Sequence, residues 1–349
     1  MVLFMLMMHL ITGGSGFVGN LMARHLVEAG ESVRVLDIWQ DNTQPKEIEF
    51  VNCNILNEAG VATAMKGVDC VHHVAALITV TRAPTADYYK VNVEGSRIVA
   101  QQAARANVRM FAYMSSSSIF GIPSKCPIDN DNTTLPVDTY GKSKLAGELA
   151  VREVARTTGM PLISIRPRTV MGDGRMGIFQ ILFQWIKDGV DVYTIGRGDN
   201  LIQFIHADDL ISACLLLYKS GKPGLYNIGT DRYGTVRSAL ESLITHAHST
   251  SKVRSLPEVP AIATLTILDK LGLSPLSPWH YRTYSKDFYC DIQPLTALGW
   301  KPKYSNVEML CESYDSFIAQ YDQLMKGTWK AAHRRPLNER LLRVLKQFS

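Results

Sequence analysis

Along the first half of the chain, short apolar runs alternate with segments of helical spacing. The runs lie at 7–12, 32–36, 48–53, 70–75, 109–114 and 162–165, and the helical segments at 21–28, 91–106 and 142–157. Most of the runs lack the apolar–polar alternation of a half-exposed strand, so their two faces are expected to be buried. Strand–helix alternation of this kind predicts a doubly wound α/β fold, a parallel sheet with helices on both faces. Beyond Arg166 the rhythm breaks. Gly and Asp crowd 171–177, a helix is expected to about Gly189, then a strand at 192–195 and a Gly-rich loop at 196–200. No internal repeat is visible, and no linker rich in Pro, Gly or Ser marks an independent second domain. The C-terminal third reads as a smaller lobe built against the first part.

The chain has 349 residues, 46% of them hydrophobic and 20% charged, enough to bury a substantial core and too apolar for disorder. Its formal charge of +5 is uneven. Lys326, Lys330, Arg334, Arg335, Arg340, Arg343 and Lys346 face one acid, Glu339, across 326–349. Removing that +6 from the total of +5 leaves the body at −1, which argues against a nucleic-acid partner for the body. The six cysteines are scattered without a C-x-x-C pair, as buried thiols in a reducing compartment would be. The apolar start lacks a basic leader region and meets Gly13 well before the ~20 residues a span needs. A cytoplasmic enzyme is the resulting expectation.

Two constellations carry chemistry. The string Thr12-Gly13-Gly14-Ser15-Gly16-Phe17-Val18-Gly19 follows an expected strand and opens a helix. Gly13, Gly16 and Gly19 permit a tight turn, close backbone approach to a pyrophosphate, and helix–strand contact, with helix N–H groups offered to phosphates. Asp37 ends the second strand, where a carboxylate can accept both ribose hydroxyls of NAD and would repel the 2′-phosphate of NADP. Ile38, Trp39 and Gln40 supply no cation beside it, so NAD is favoured.

The second constellation is Tyr140-Gly141-Lys142-Ser143-Lys144, which sets Tyr140 and Lys144 four apart on one helix face. A phenol titrates near ~10, and a neighbouring ammonium lowers that toward a working range. The run Ser115-Ser116-Ser117-Ser118-Ile119-Phe120-Gly121 follows the fifth strand, where a hydroxyl can hold the substrate oxygen that Tyr140 deprotonates.

With these residues the chain resembles extended short-chain dehydrogenases/reductases, in the NAD-dependent epimerase/dehydratase group. The resemblance spans residues 6 to about 230, with a recognisable C-terminal lobe to about 322. It extends to His73-Val74-Ala75-Ala76, Asn92-Val93-Glu94-Gly95, Arg166-Pro167, Phe204 through Leu210, Tyr226-Asn227-Ile228-Gly229, and Asp291 through Trp300. It implies a Rossmann domain over 1–170 with 203–230 returning to it, and a substrate-binding lobe from 171–202 and 231–325. It implies Tyr140 as base, Lys144 as its activator and cofactor clamp, and Ser116, counted back from Gly121, as the orienting hydroxyl. Asn92 would hold the active-site helix. NAD would lie on Gly13, Gly16, Phe17, Val18, Gly19, Asp37, Asn54, Ile55, Ala75, Ala76, Tyr140, Lys144 and Pro167, with Asn54 on the adenine side. A homodimer is also expected.

Departures narrow the reaction. Sugar 4,6-dehydratases of the group carry an Asp-Glu pair after the orienting hydroxyl; Ser117 and Ser118 stand there, which argues against dehydration. Arg166-Pro167-Arg168-Thr169 is closer to 3β-hydroxysteroid dehydrogenases than to most nucleotide-sugar epimerases. Epimerisation of a nucleotide sugar is the first expectation. Oxidation of a sterol-like or other apolar secondary alcohol is the alternative, and a non-catalytic dinucleotide sensor the third. Arg197, Arg282 and Lys286 are candidate substrate cations, suited to a diphosphate. His206, Asp208 and Asp209 read as a helix cap, so no metal is expected. The run 261–268 is a lobe helix or part of an apolar pocket. The tail over 326–349 spaces Leu337, Leu341, Leu345 and Phe348 as an apolar stripe with a basic opposite face. It docks on the body or a second subunit, or else meets an anionic membrane surface.

Overall fold

The computed structural model describes residues 7–326, save 79, 80, 82, 174–176, 272, 273 and 275. Residues 327–349, and with them the expected basic stripe, lie outside the described residues. In chain order the first part runs β1 (Met8–Thr12), α1 (Phe17–Glu28), β2 (Ser32–Asp37), β3 (Glu49–Asn52), α2 (Glu58–Ala64), β4 (Cys70–His73), α3 (Thr85–Tyr89), a π-helical turn (Lys90–Gly95) and α4 (Ser96–Arg105). It continues through β5 (Met110–Met114), a 3₁₀ turn (Ser117–Phe120), α5 (Thr139–Thr158), β6 (Leu162–Pro167) and β7 (Thr169–Met171). Next come α6 (Phe179–Lys187), β8 (Val192–Ile195), β9 (Leu201–Ile202), β10 (Phe204–His206), α7 (Ala207–Ser220) and β11 (Gly224–Ile228). The described residues end with β12 (Gly234–Thr235), α8 (Val236–His246), β13 (Val253–Leu256), α9 (Glu258–Lys270), α10 (Pro278–Thr283), α11 (Gln293–Thr296) and α12 (Asn306–Lys326).

Seven strands form one sheet in the order β11-β6-β5-β4-β1-β2-β3, every pair parallel. The apolar runs lack alternation because neighbouring residues feed opposite cores. On β1, Leu10 joins the α2–α4–α5 face and Ile11 the α1–α7 face; on β2, Leu36 and Val35 divide the same way. Both faces are thus covered, as a parallel sheet requires. The chain leaves β1 for β2 and β3 on one side and crosses to β4, β5 and β6 on the other. A crevice therefore opens at the strand C-termini between β1 and β4.

The lobe has its own core. Phe183, Trp185 and Ile186 of α6 pack with Val236, Leu240 and Leu243 of α8 and with Met309, Leu310, Tyr314 and Phe317 of α12. The apolar run at 261–268 is a lobe helix, α9, of which no residue is buried. The expected helix over 91–106 differs in its first turn, which is π-helical. No described helix is long and apolar enough to cross a membrane.

Within the sheet, His9 and His72 on the adjacent strands β1 and β4 share a hydrogen bond of 3.0 Å and stack with ring centroids 5.3 Å apart. Burial, with His9 beside it, pushes His72 down to about 3 from an ordinary 6.5. Below 6.5 the unfolded chain takes up a proton at this residue that the folded chain refuses. Stability contributed here is therefore present above pH 6.5 and is lost as pH falls toward 3. Urea unfolding between about pH 6 and pH 5 should lose up to about 1.4 kcal/mol per pH unit from this one residue. His72→Gln should flatten the slope by that amount. An unchanged slope would mean that His72 is not held neutral.

Candidate active site

The cofactor cradle is built by close backbone approach. Gly13 has φ +71°, and a Cβ there would lie 2.6 Å from the Ala75 Cα. A Cβ on Gly19 would lie 2.3 Å from the Gly13 carbonyl oxygen, so α1 can start this close to β1 only with glycine. Gly14 is constrained in the same way, its missing Cβ pressed on Val35. Gly16 stands at the N-cap of α1 with no side-chain cap and no acid in the first turn. Such a helix start offers N–H groups and positive potential to phosphate oxygens.

Asp37 reaches this loop from the end of β2. Its Oδ2 accepts the Ser15 N–H at 3.0 Å and its Oδ1 the Ile38 N–H at 2.7 Å. Burial raises its carboxyl above the ordinary value, against the pull of the N–H groups of Ser15, Ile38 and Trp39. Asn54 follows β3 and is exposed, its Oδ1 taking the Leu56 N–H, while Ile55 is buried and packs where Gly95 lacks a side chain. Ala75 and Ala76 follow β4, and Phe17 and Val18 open α1. These positions all meet at one edge of the sheet, and a cradle that a Cβ would fill beside an uncapped helix start fits a dinucleotide.

The floor is held by a polar chain. His73 Nδ1 lies 2.6 Å from Thr12 Oγ1, and His73 Nε2 lies 2.9 Å from Ser96 Oγ. Ser96 donates its own proton to the Asn92 carbonyl at 2.8 Å, so it accepts from Nε2–H, and Nδ1 accepts from Thr12. Burial and then the Lys144 charge lower His73 to about 3, keeping it neutral. Both imidazoles, His72 and His73, are thus buried and neutral.

Helix α5 carries Tyr140 and Lys144. Asp138 caps it, accepting the Gly141 N–H at 2.8 Å. Its inner face needs glycine: a Cβ on Gly141 would sit 2.8 Å from the Ser118 carbonyl, and one on Gly147 would sit 2.1 Å from the Asn92 carbonyl. Asn92 staples the π-helical turn to this face, donating to Ser143 Oγ at 2.9 Å and exchanging two bonds with the Leu77 backbone. Lys144 is 2% exposed. It donates to the Met114 carbonyl at 2.7 Å and lies 4.6 Å from the Tyr113 ring centre. Burial lowers its ammonium to about 7, with Glu148 pulling the other way.

Glu148, one turn further, was not legible as a site residue, although it continues the Tyr140–Lys144 spacing by four. Fully buried, it accepts from Ser115 Oγ at 2.6 Å and from Arg166 at 3.1 and 2.5 Å. It locks α5 to the ends of β5 and β6.

The four serines divide the work. Ser115 is bound to Glu148, and Ser117 accepts from Arg168 Nη1 at 3.1 Å. Ser116 Oγ accepts from the N–H of Ser118 at 3.2 Å and from its hydroxyl at 2.9 Å. Its own proton is then directed to an oxygen elsewhere. A cavity of about 310 Å³ joins all of this: Ser116, Tyr140 and Lys144 share its wall with Val18, Ala76 and Pro167 on the cofactor side and Phe179, Trp279 and Phe288 on the lobe side. The structure does not bring Arg197 or Arg282 to this wall. Arg197 is exposed and paired with Asp199 at 2.9 Å, and Arg282 is exposed. His206 caps α7, and Asp209 accepts the N–H groups of Lys303 and Tyr304. Among the described residues, no group of three His, Cys, Asp or Glu side chains could hold a metal ion.

Comparison with known proteins agrees with this geometry. The chain is 36% identical over 337 residues to the uncharacterized protein y4nG of Sinorhizobium fredii, covering 96% of this chain and 85% of that protein. It is 28% identical to a UDP-glucose 4-epimerase of Lactobacillus helveticus, covering 86% of this chain and 93% of that protein. The crystal structure of a UDP-glucuronic acid 4-epimerase from Bacillus cereus in complex with NAD shares the fold, with a TM-score of 0.73 at 20% identity, over 90% of this chain and all of that one. Residues 9–229 match the NAD dependent epimerase/dehydratase family, and the chain belongs to it.

Proposed function

We propose that the protein epimerises a nucleotide sugar at a secondary alcohol carbon through a transient ketone. The observation that carries this reading is the placement of Ser116, Tyr140 and Lys144 on one cavity wall beside the cofactor cradle. Bound NAD supplies a hydride acceptor that can also return the hydride. Every other function falls to side chains. Tyr140 takes the proton of the substrate hydroxyl. Lys144, fixed by the Met114 carbonyl, favours the phenolate by its charge, and the phenolate in turn favours the ammonium. Ser116 donates to the same substrate oxygen and holds the carbonyl once formed. Ser117 and Ser118 stand where dehydration would need an acid–base pair, so the ketone has no route to water loss and is reduced again. Hydride given back by NAD held on the glycine loop and Asp37 would invert the carbon if it arrived on the other face.

Asp37 supports preference for NAD over NADP, because a 2′-phosphate would meet a carboxylate already held by two N–H groups. Calorimetry should show NAD binding at least about 100-fold tighter than NADP, since juxtaposed like charges cost several kcal/mol. Asp37→Ala should narrow that gap mainly by admitting NADP; equal affinities in the unmodified protein would remove the basis of the assignment.

The activity itself is tested by offering UDP-, GDP- and dTDP-sugars and hydroxysteroids, following product stereochemistry and NADH. One nucleotide sugar should be inverted without net NADH. Tyr140→Phe should lower turnover about 1,000-fold, the usual scale of general-base catalysis, with NAD affinity within about threefold. Stoichiometric NADH from a hydroxysteroid, with no nucleotide sugar raising the melting temperature, would replace this reading by the steroid-type dehydrogenase.

A further inference from the structure

The cavity wall contains a cation that the proposed chemistry leaves without work. Arg168 lies between β6 and β7 and is 2% exposed. Its Nε donates to the Gln203 carbonyl at 3.1 Å and its Nη1 to Ser117 Oγ at 3.1 Å, and the guanidinium lies 3.7 Å from the centre of the Phe288 ring. Burial lowers its pKa to about 10, so it stays charged at neutral pH.

Two residues away, a second buried arginine, Arg166, has a full carboxylate partner in Glu148. Arg168 has none among the described residues; the only other ionisable groups that perturb it are the thiols of Cys290 and Cys126. Nor does any described Asp or Glu line the cavity, and Lys286, a further cation on that wall, is already bound to Glu258 at 2.6 Å. A buried guanidinium without a counter-charge is costly unless something arrives to compensate it. A second donor on the same wall is also unsatisfied: the indole Nε1 of Trp279 is buried with no hydrogen-bond partner.

The geometry points to a substrate whose sugar ring carries a carboxylate close to the reacting carbon, a nucleotide-linked uronic acid, with Arg168 as the residue that selects it. This rests on the proposed epimerase reading and names its substrate class. The position of the charge sets the position of the anion. Arg168 is bonded to Ser117, the residue next to Ser116, and Ser116 marks the oxygen at which reaction occurs. An anion that meets Arg168 is therefore a substituent of the reacting ring. The guanidinium fork suits the two oxygens of a carboxylate, and a hydroxymethyl group in the same place would leave the charge uncompensated.

The test is calorimetry on the NAD-loaded protein with UDP-glucuronic acid, UDP-glucose and UDP alone, for the unmodified chain, Arg168→Gln and Arg168→Lys. The acid should bind about 30-fold tighter than the neutral sugar, the scale of one hydrogen-bonded charge pair. Arg168→Gln should bring that ratio to about one, and Arg168→Lys should restore part of it. Equal affinity of the two sugars for the unmodified protein overturns the inference, and that comparison stands even if the Gln variant does not fold. An Arg168→Gln protein that loses as much affinity for UDP as for the acid also overturns it, because the cation then serves the diphosphate. The inference and the activity fail separately. If the acid is preferred through Arg168 but no sugar is inverted, the anion subsite stands and the epimerase reading falls. If sugars are inverted with no preference for the acid, the inference alone falls.

Discussion

One buried carboxylate decides where the catalytic helix sits. Glu148 has no exposed surface, and its two oxygens are shared between Arg166 on β6 and Ser115 at the end of β5. Removing one partner of such a pair leaves the other charge buried, at a cost of about 3–5 kcal/mol. Helix α5 can therefore neither slide nor roll without breaking it. Lys144 lies one turn back along the same face, at the Met114 carbonyl, and Tyr140 one turn further still, at the cavity. The glycines at 141 and 147 serve the same constraint from the other side, letting the helix approach the Ser118 and Asn92 carbonyls where any side chain would collide.

The electrostatics of the cavity follow from this arrangement. Its described wall holds lysine and arginine but no carboxylate; Glu148 is spent on Arg166 and Ser115, and Glu258 on Lys286. Burial draws Lys144 down to about 7, where a small change in its surroundings decides whether it carries a charge. A phenolate at Tyr140 is such a change. The serine run is likewise not redundant: Ser115 and Ser117 hold charged partners in place, and Ser116 is the one to which the proposed reaction gives the substrate oxygen.

The fold was largely legible because its signals are local. Runs such as 70–75 and 162–165 without alternation imply strands buried on both faces, and the glycine string between a strand and a helix implies a phosphate cradle. The Tyr140–Lys144 spacing is likewise a property of one helix. What was not legible depends on contacts between distant segments. Arg197 and Arg282 were selected as charges, but sequence carries no sign of exposure, and both lie away from the cavity. Glu148 and Arg168 read as ordinary charged residues until β5, β6 and α5 are brought together. The π-helical turn inside the expected helix over 91–106 is set by Asn92 reaching Ser143 and Leu77, which no local periodicity records.

In the reaction proposed, a hydride leaves the reacting carbon and returns to it, with Tyr140 handling only the oxygen-bound proton. The most direct measurement uses the substrate identified by turnover, labelled with deuterium at the carbon that inverts, and follows the label by NMR in ordinary water. Hydride transfer predicts that the inverted product keeps the deuterium on that carbon. Loss of the label to solvent as inversion proceeds would show that the carbon is deprotonated by a base, and would contradict hydride transfer at this site.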